Sequence, residues 1–379
     1  MTDATKLMPL TQDATRPPAL ARKRVLIVED SAVIRQMLEH IIGSDPRLEV
    51  VASVDSGEAA LRILNRVSPD VISMDIRLPG MNGFETTQRI MAERPTPVVV
   101  ISASVEDEDL KISMNALRAG ALAVLEKPTG LAHQDYETVA QKICTQLFIM
   151  SQVHVVRQRF PRADLGTPRR LSPNAELVRP AAPSAAPGSY RMVGLAASTG
   201  GPNAVVKLLC GLGADFPLPV LLVQHISASF LNGFVNWLGG VTPLKVVRAA
   251  NGVVPAPGHV YVAPEDVHLT LQRGRLVLVD SAPVSSQKPS ATVLFESMAA
   301  SLGESALGIV LTGMGDDGAK GLKAMRDAGA YTIGEDESTA VVFGMPAAAF
   351  QMGGLCQLLP LDEIPERMLA LTAKRNSNP

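Results

Sequence analysis

The 379-residue chain has few cysteines, few aromatic side chains and almost no net charge. Its three cysteines, Cys144, Cys210 and Cys356, are too few and too widely spaced for a disulfide framework or a CxxC metal site, so we expect a reducing compartment. Lys and Arg total 35 against 37 Asp and Glu, for a net charge of −2. A sum this small argues against nucleic acid as a partner.

The N-terminus lacks the basic and apolar regions of a secretory signal peptide. Two stretches, 216–244 and 338–361, carry no charged residue, but Pro, Gly, Asn or Gln interrupts both. Interrupted stretches of this kind favour buried core over a membrane span. We therefore expect a cytoplasmic protein with no direct membrane insertion.

Two regions of alternating strand and helix patterns divide the chain. After a polar tail, 1–21, short apolar strands alternate with helical segments over 22–150, including a polar helix predicted from Glu106 to Arg118. The range 151–189 holds six Arg, no Lys and six Pro, which is typical of an extended linker. A second periodic region covers 190–375. Five strand–helix repeats followed by a second such region predict two α/β domains, each with a doubly wound parallel sheet.

Polar side chains follow the predicted strands of the first domain. Glu29 and Asp30 follow the first strand, Asp75 the third, Ser102 the fourth and Lys127 the fifth. Open parallel sheets bind ligands at these strand ends, and clustered carboxylates suit Mg²⁺. Each residue alone could be a helix cap, a turn residue or a surface charge, but together they favour a site for an added phosphoryl group.

Three segments carry a specific resemblance: Val28-Glu-Asp-Ser31, Met74-Asp-Ile-Arg-Leu-Pro-Gly-Met-Asn-Gly83 and Glu126-Lys-Pro128. On these, residues 24–150 resemble a two-component receiver domain. The resemblance implies that a histidine kinase phosphorylates Asp75 and that Ser102 and Lys127 contact the phosphoryl oxygens. It also implies a Mg²⁺ site made by Glu29, Asp30, Asp75 and the backbone carbonyl of Arg77.

Two positions depart from the receiver pattern. Glu29 stands where Asp is more usual, so we expect one metal contact to differ in length. Val124 occupies the place of a common aromatic residue, which argues against an aromatic rotamer switch.

The second domain opens with a strand, a turn of small residues and a helix, 193–209. Ser198 lies at the strand–helix junction, where N–H groups at the helix start could stabilise an oxyanion. Ala196 replaces the first Gly of the GxSxG motif, so that motif is not met. A serine that caps the helix, or a glycine-rich loop that binds phosphate, explains the segment equally well.

A nucleophilic serine needs a base and an acid that orients the base. His225 ends a buried strand of the second domain, whereas His259 and His268 flank a later strand and are weaker rivals. Asp316 and Asp317 follow another buried strand, and either could instead cap the next helix. The residue pattern alone does not choose between these two acids.

Four further segments are similar to the chemotaxis response-regulator protein-glutamate methylesterases, the CheB family: Ala196-Ala-Ser-Thr-Gly-Gly-Pro202, Gln224-His225, Thr312-Gly-Met-Gly-Asp-Asp-Gly318 and Val341-Val-Phe-Gly-Met-Pro-Ala347. The resemblance implies that Ser198 is the nucleophile, His225 the base and Asp317 the orienting acid. It makes Thr199 and the Met314 N–H candidates for the oxyanion site. At Thr292 the family commonly carries Asp, and no role is assigned to that position.

The resemblance also implies a fold and an activity. The fold is a flavodoxin-like receiver joined to a Rossmann-like methylesterase domain. The activity is phosphorylation-activated hydrolysis of glutamate methyl esters on chemoreceptor cytoplasmic domains, with deamidation of receptor glutamines and no cofactor for the ester chemistry. Before phosphorylation, the receiver of this family packs over the esterase site.

The rival interpretation is a response regulator with a DNA-binding or non-catalytic effector domain. A DNA-binding effector needs a basic recognition helix. Residues 190–379 hold 13 basic and 15 acidic residues, which disfavours one.

Overall fold

The computed structural model describes residues 21–102, 115–117, 119–128, 133–153, 155 and 189–373. The predicted tail lies outside these residues except for position 21, as does most of the predicted linker. The same holds for the predicted helix from Glu106 to Arg118, apart from a helical turn at 115–117. The boundaries 22–150 and 190–375 therefore stay predictions.

The first domain contains a five-stranded parallel sheet. Its elements are β1 Lys23–Val28, α1 Ala32–Gly43, β2 Leu48–Val54, α2 Gly57–Val67, β3 Val71–Met74, α3 Gly83–Glu93, β4 Val98–Ser102, β5 Ala123–Glu126 and α4 His133–Met150. The strand order is β2-β1-β3-β4-β5, with every pair parallel. This is the flavodoxin-like order, in which the direction of winding reverses between β1 and β3.

The second domain contains a seven-stranded sheet flanked by helices. The described strands of the domain, of which all but β10 and β11 belong to this sheet, are β6 Met192–Ala197, β7 Val220–Gln224, β8 Lys245–Arg248, β9 His259–Val262, β10 His268–Gln272, β11 Arg275–Val279, β12 Ala306–Val310, β13 Tyr331–Glu335 and β14 Gln357–Leu359. Its helices are α5 Gly201–Leu212, α6 Ala228–Val241, α7 Ala291–Leu302, α8 Ala319–Asp327, α9 Met345–Gln351 and α10 Ile364–Thr372.

The main sheet of this domain has the order β14-β13-β12-β6-β7-β9-β8 and is parallel throughout. The winding reverses at β6, because the chain leaves it toward β7 and later returns to its other side as β12. The predicted parallel-sheet α/β class is confirmed in both domains.

Strands β10 and β11 stand apart from the parallel sheet as an antiparallel hairpin. Gln272 pairs with Arg275, which leaves a two-residue loop of Arg273 and Gly274 with φ values of 51° and 76°. Two successive residues with positive φ fit a type I′ turn, the connection that suits a tight hairpin. Alternation of strand and helix does not predict this inserted hairpin.

Both stretches without charged residues contribute to the core. Phe216, Phe230 and Phe234 of the first stretch are fully buried, as are Met345 and Ala349 of the second. Within the described part of the chain, no helix is both long enough and apolar enough to span a membrane.

Candidate active site

The turn after β6 holds Ser198 in place through backbone hydrogen bonds. The Ser198 N–H donates to the carbonyl of Thr312 (3.0 Å), and the Ser198 carbonyl accepts from the Gly201 N–H (2.8 Å) and from Gln224 Nε2 (2.9 Å). A Cβ at Gly201 would lie 2.4 Å from Gln224 Oε1, so this close approach requires glycine. Gly200 has φ of +76°, which lets the chain turn directly into α5. The half-buried Ser198 side chain therefore stands on a rigid turn.

His225 and Asp317 meet at the same edge of the sheet. His225 follows β7, where its N–H donates to the Ala197 carbonyl (3.0 Å), and Asp317 follows β12 on the other side of β6. His225 Nε2 lies 2.9 Å from Asp317 Oδ2, and the Asp317 side chain is 3% exposed. Its neighbour Asp316 points to solvent. The structure thus places Asp317, and not Asp316, against the histidine.

Four donors surround the Asp317 carboxylate. Oδ2 accepts from His225 Nε2 and from the Ala291 N–H (2.7 Å), and Oδ1 accepts from Ser290 Oγ (2.6 Å) and the Thr292 N–H (3.1 Å). Burial opposes ionisation, but the hydrogen bonds from His225 and Ser290 outweigh it and hold the pKa of the Asp317 carboxyl below its usual value. The carboxylate is stabilised as an anion in a fixed orientation.

Three residues that contribute to this network were not predicted to do so. Thr292 donates its N–H to Asp317, and its Oγ1 accepts from the Gly318 N–H (2.7 Å). Ser290 precedes the same helix, and His268, a rival for the base, is fully buried behind it. Pro289-Ser290 before an apolar helix does indicate a helix N-terminus, which attracts anions. It does not indicate that the anion is the carboxylate of Asp317, which lies 27 residues after Ser290 in the chain.

A cavity of about 400 Å³ lies over Ser198 and His225, between the two domains. Thr199 and Met314, the oxyanion candidates, both line it; Thr199 is buried, and Met314 is 42% exposed. Neither His259 nor His268 is among the lining residues. The predicted nucleophile, base and oxyanion groups therefore share one cavity, with Asp317 directly behind the base.

The first domain forms one wall of this cavity. Its lining residues include Val124 on β5 and Lys142 and Gln146 on α4. Gln146 Nε2 donates to Thr199 Oγ1 at 3.4 Å, so an oxyanion candidate is in contact with the first domain. The position that lacks the common aromatic residue, Val124, thus faces the candidate site.

Two further hydrogen bonds join the domains. Asn203 Nδ2 on α5 donates to the Leu117 carbonyl (2.8 Å), and Ser229 Oγ on α6 donates to Glu126 Oε2 (3.2 Å). Glu126 immediately precedes Lys127 in the chain, so a residue of this interface is the direct neighbour of a residue of the predicted phosphorylation site.

The predicted phosphorylation site lies at the carboxyl ends of β1 and β3, where Glu29 and Asp75 are buried and Asp30 is exposed. Oxygens of these three carboxylates all lie within 4.8 Å of one another. Lys127 Nζ lies 2.8 Å from Glu29 Oε2 and 3.0 Å from Asp75 Oδ2. Ser102 is buried at the end of β4, and its carbonyl accepts the Lys127 N–H (3.0 Å). The strand ends bring these predicted residues together, with Arg77 two positions beyond Asp75.

The carboxylates of this site are strained electrostatically. Burial, followed by repulsion from Asp75, raises the pKa of Glu29 to about 7. Burial likewise raises the pKa of Asp75, although Lys127 opposes the shift. One ammonium shared by two buried carboxylates leaves excess negative charge, which a divalent cation with oxygen ligands would balance.

Known proteins match both domains. The family model described as CheB methylesterase matches residues 193–368, and the response regulator receiver domain model matches residues 25–134. A solved structure, the CheB methylesterase catalytic domain of Thermotoga maritima, is 33% identical, covers 48% of this chain and 97% of its own, and has a TM-score of 0.46.

Curated relatives extend over nearly the whole chain. The protein-glutamate methylesterase/protein-glutamine glutaminase 2 of Paramagnetospirillum magneticum is 57% identical over 349 residues, covering 91% of this chain and 96% of the relative. The protein-glutamate methylesterase/protein-glutamine glutaminase of Nitrosospira multiformis is 41% identical, covering 93% of this chain and 97% of the relative. The chain therefore belongs to the CheB methylesterase family and carries a response regulator receiver domain.

Proposed function

We propose that this chain is a phosphorylation-controlled hydrolase that removes methyl esters from glutamate side chains of chemoreceptors and deamidates receptor glutamines. The observation that carries the proposal is the 2.9 Å contact of His225 Nε2 with Asp317 Oδ2, behind a cavity that both His225 and Ser198 line. Relatives over more than nine-tenths of the chain carry the corresponding name.

The esterase step uses Ser198 as nucleophile. Ser198 Oγ attacks the γ-carbonyl carbon of the methyl ester while His225 accepts the hydroxyl proton at Nδ1, since Nε2 contacts Asp317. The methoxide then leaves with that proton as methanol, and water, deprotonated by His225, hydrolyses the acyl-enzyme to free glutamate. A glutamine reacts in the same way with ammonia as the leaving group.

Asp317 orients the imidazole and stabilises its protonated form. The lowered pKa of its carboxyl keeps it ionised throughout the cycle. Thr199 and the Met314 N–H stabilise the oxyanion that forms on the carbonyl oxygen. All of these groups belong to the protein, and the hydrolysis needs no cofactor.

The receiver controls access to this cavity. We assign Asp75 as the residue phosphorylated by a histidine kinase, with Ser102 and Lys127 contacting the phosphoryl oxygens. The carboxylates of Glu29, Asp30 and Asp75 and the Arg77 carbonyl would hold Mg²⁺, which neutralises phosphoryl charge. The excess of buried negative charge fits this cation, as does the clustering of the carboxylate oxygens within 4.8 Å of one another. Phosphorylation then releases the receiver surface that forms the cavity wall.

Methanol release from a methylated chemoreceptor fragment, measured with and without a small-molecule phosphodonor and Mg²⁺, tests the proposal. Ser198→Ala should abolish release under both conditions, because the acyl-enzyme cannot form. Asp75→Asn should retain the activity seen without phosphodonor and lose all stimulation. Substantial turnover by Ser198→Ala contradicts the nucleophile, and stimulation that persists in Asp75→Asn contradicts the phosphorylation site.

A further inference from the structure

Ser290 occupies the position of a helix N-cap without acting as one. It immediately precedes α7, yet its side chain accepts no hydrogen bond from the first turn of that helix. The first two N–H groups of α7, from Ala291 and Thr292, instead donate to the Asp317 carboxylate. Because Asp317 caps this helix, the Ser290 hydroxyl is available for another purpose.

The hydroxyl of Ser290 is directed at Asp317. Ser290 Oγ donates to Oδ1 at 2.6 Å, on the oxygen that does not contact His225. The hydroxyl is the one side-chain donor to Asp317, apart from the imidazole, among the described residues. Each carboxylate oxygen thereby accepts two hydrogen bonds, which prevents rotation of the carboxylate about its Cβ–Cγ bond.

His268 holds Ser290 from the other side. The Ser290 N–H donates to His268 Nδ1 (3.1 Å), and His268 Nε2 lies 3.1 Å from the Ala282 carbonyl. Because a backbone N–H can only donate, Nδ1 accepts this hydrogen bond and Nε2 carries the ring hydrogen, which it donates to the Ala282 carbonyl. Ser290 and His268 are both fully buried, so this chain of contacts is shielded from water.

We propose that Ser290, held by His268, is a positioning residue for the esterase reaction: its hydroxyl sets the orientation of Asp317, which in turn orients His225 toward Ser198. This inference rests on the proposed function. Without the hydroxyl, Oδ1 keeps only the longer contact from the Thr292 N–H, at 3.1 Å. The carboxylate is then held less firmly, and its alignment with the imidazole is less well defined.

The test compares Ser290→Ala with Ser297→Ala in the full-length chain. Ser297 lies on the same helix, and its hydroxyl donates to the Leu294 carbonyl and accepts from the Leu271 N–H, remote from Asp317. Ser290→Ala should lower kcat for methanol release by about tenfold, the loss expected for a hydrogen bond to a charged group. KM should stay within about twofold, because Ser290 does not line the cavity. Ser297→Ala should keep the wild-type kcat.

Rates are expressed per folded molecule. The fluorescence of Trp237, the single tryptophan, measures the folded fraction of the esterase domain. Ser290→Cys keeps a side chain of similar size with a weaker donor and should give an intermediate kcat. A Ser290→Ala kcat equal to that of Ser297→Ala, or a wild-type kcat for Ser290→Cys, overturns the positioning role. Both results are separable from failure of the proposed function, in which Ser198→Ala itself would stay active.

Discussion

The receiver and the esterase domain place the side chains of their candidate sites at equivalent points of two parallel sheets. In the receiver, Asp30 follows β1 and Asp75 follows β3, the strands between which the winding reverses. In the esterase domain, Ser198 follows β6 and Asp317 follows β12, which also flank a reversal. Adjacent connections leave such a point in opposite directions and open a crevice there, so both sheets offer a site at the same topological position.

The buried carboxylates at these two points have opposite electrostatic environments. Burial raises the pKa of Asp75, and Lys127 compensates only partly because Glu29 shares it. The pKa of Asp317 is lowered, because donors occupy both of its oxygens. Incomplete compensation suits a site that must accept a cation and a phosphoryl group. Complete compensation suits an acid that stays ionised while a neighbouring base gains and loses a proton.

The largest expected effect is the loss of activity in Asp317→Asn. An amide at this position must direct its NH₂ group toward either the imidazole of His225 or the hydroxyl of Ser290. Both of these groups donate hydrogen bonds to Asp317, so the NH₂ group repels whichever one it faces. We expect kcat to fall by about 10³- to 10⁴-fold, the scale known for a triad acid replaced by its amide. Asp316→Asn is the matched control, because its side chain is exposed and should leave kcat unchanged. A small loss in Asp317→Asn would show that this carboxylate does not orient the base.

Most residues of both candidate sites could be predicted from their positions at the ends of strands. Asp75, Ser198 and His225 could be placed because each follows a buried apolar strand, and parallel strands end at a common edge. The choice between Asp316 and Asp317 could not be made, because adjacent loop residues point in directions set by the turn. Gly315 and Gly318, both with φ of 92°, provide that turn.

The sequence patterns do not predict the contacts that distant segments make with these sites. The approach of α7 to the Asp317 loop depends on helix packing, and His268 comes from a hairpin that the strand–helix alternation does not signal. The contact of Gln146 with Thr199 depends on how two domains dock, which periodicity within either domain does not specify. Local patterns therefore located the strand ends but not the groups that hold the acid or cover the cavity.

An intermediate effect is expected from Gln146→Ala, which tests whether the receiver restrains the esterase site. This substitution removes the hydrogen bond to Thr199 Oγ1 and should raise methanol release without phosphodonor by about 2- to 10-fold, the range for one neutral hydrogen bond. Gln141→Ala is the control, since Gln141 is exposed on the same helix and does not line the cavity. Equal basal rates for both variants would mean that this contact does not restrain the enzyme.

The smallest effect, a shift in stability of opposite sign in the two domains, tests the electrostatic comparison directly. The pKa of Asp75 is higher in the folded than in the unfolded chain, so the folded state binds more protons between those two values. Its contribution to stability is thus lost as the pH rises through that interval. The pKa of Asp317 is lower in the folded chain, so its contribution is present above the unfolded value and is lost as the pH falls.

At pH 7.5 in metal-free buffer, Asp75→Asn should therefore stabilise the receiver, because a neutral amide avoids the cost of a buried charge. Asp317→Asn should destabilise the esterase domain, because a favourable anion is removed. Each shift should be about 1–3 kcal/mol in unfolding free energy. Trp237 fluorescence follows the esterase domain, and hydrogen exchange in β1 and β3 follows the receiver. Two shifts of the same sign would contradict the contrast, since both carboxylates would then be either compensated or strained.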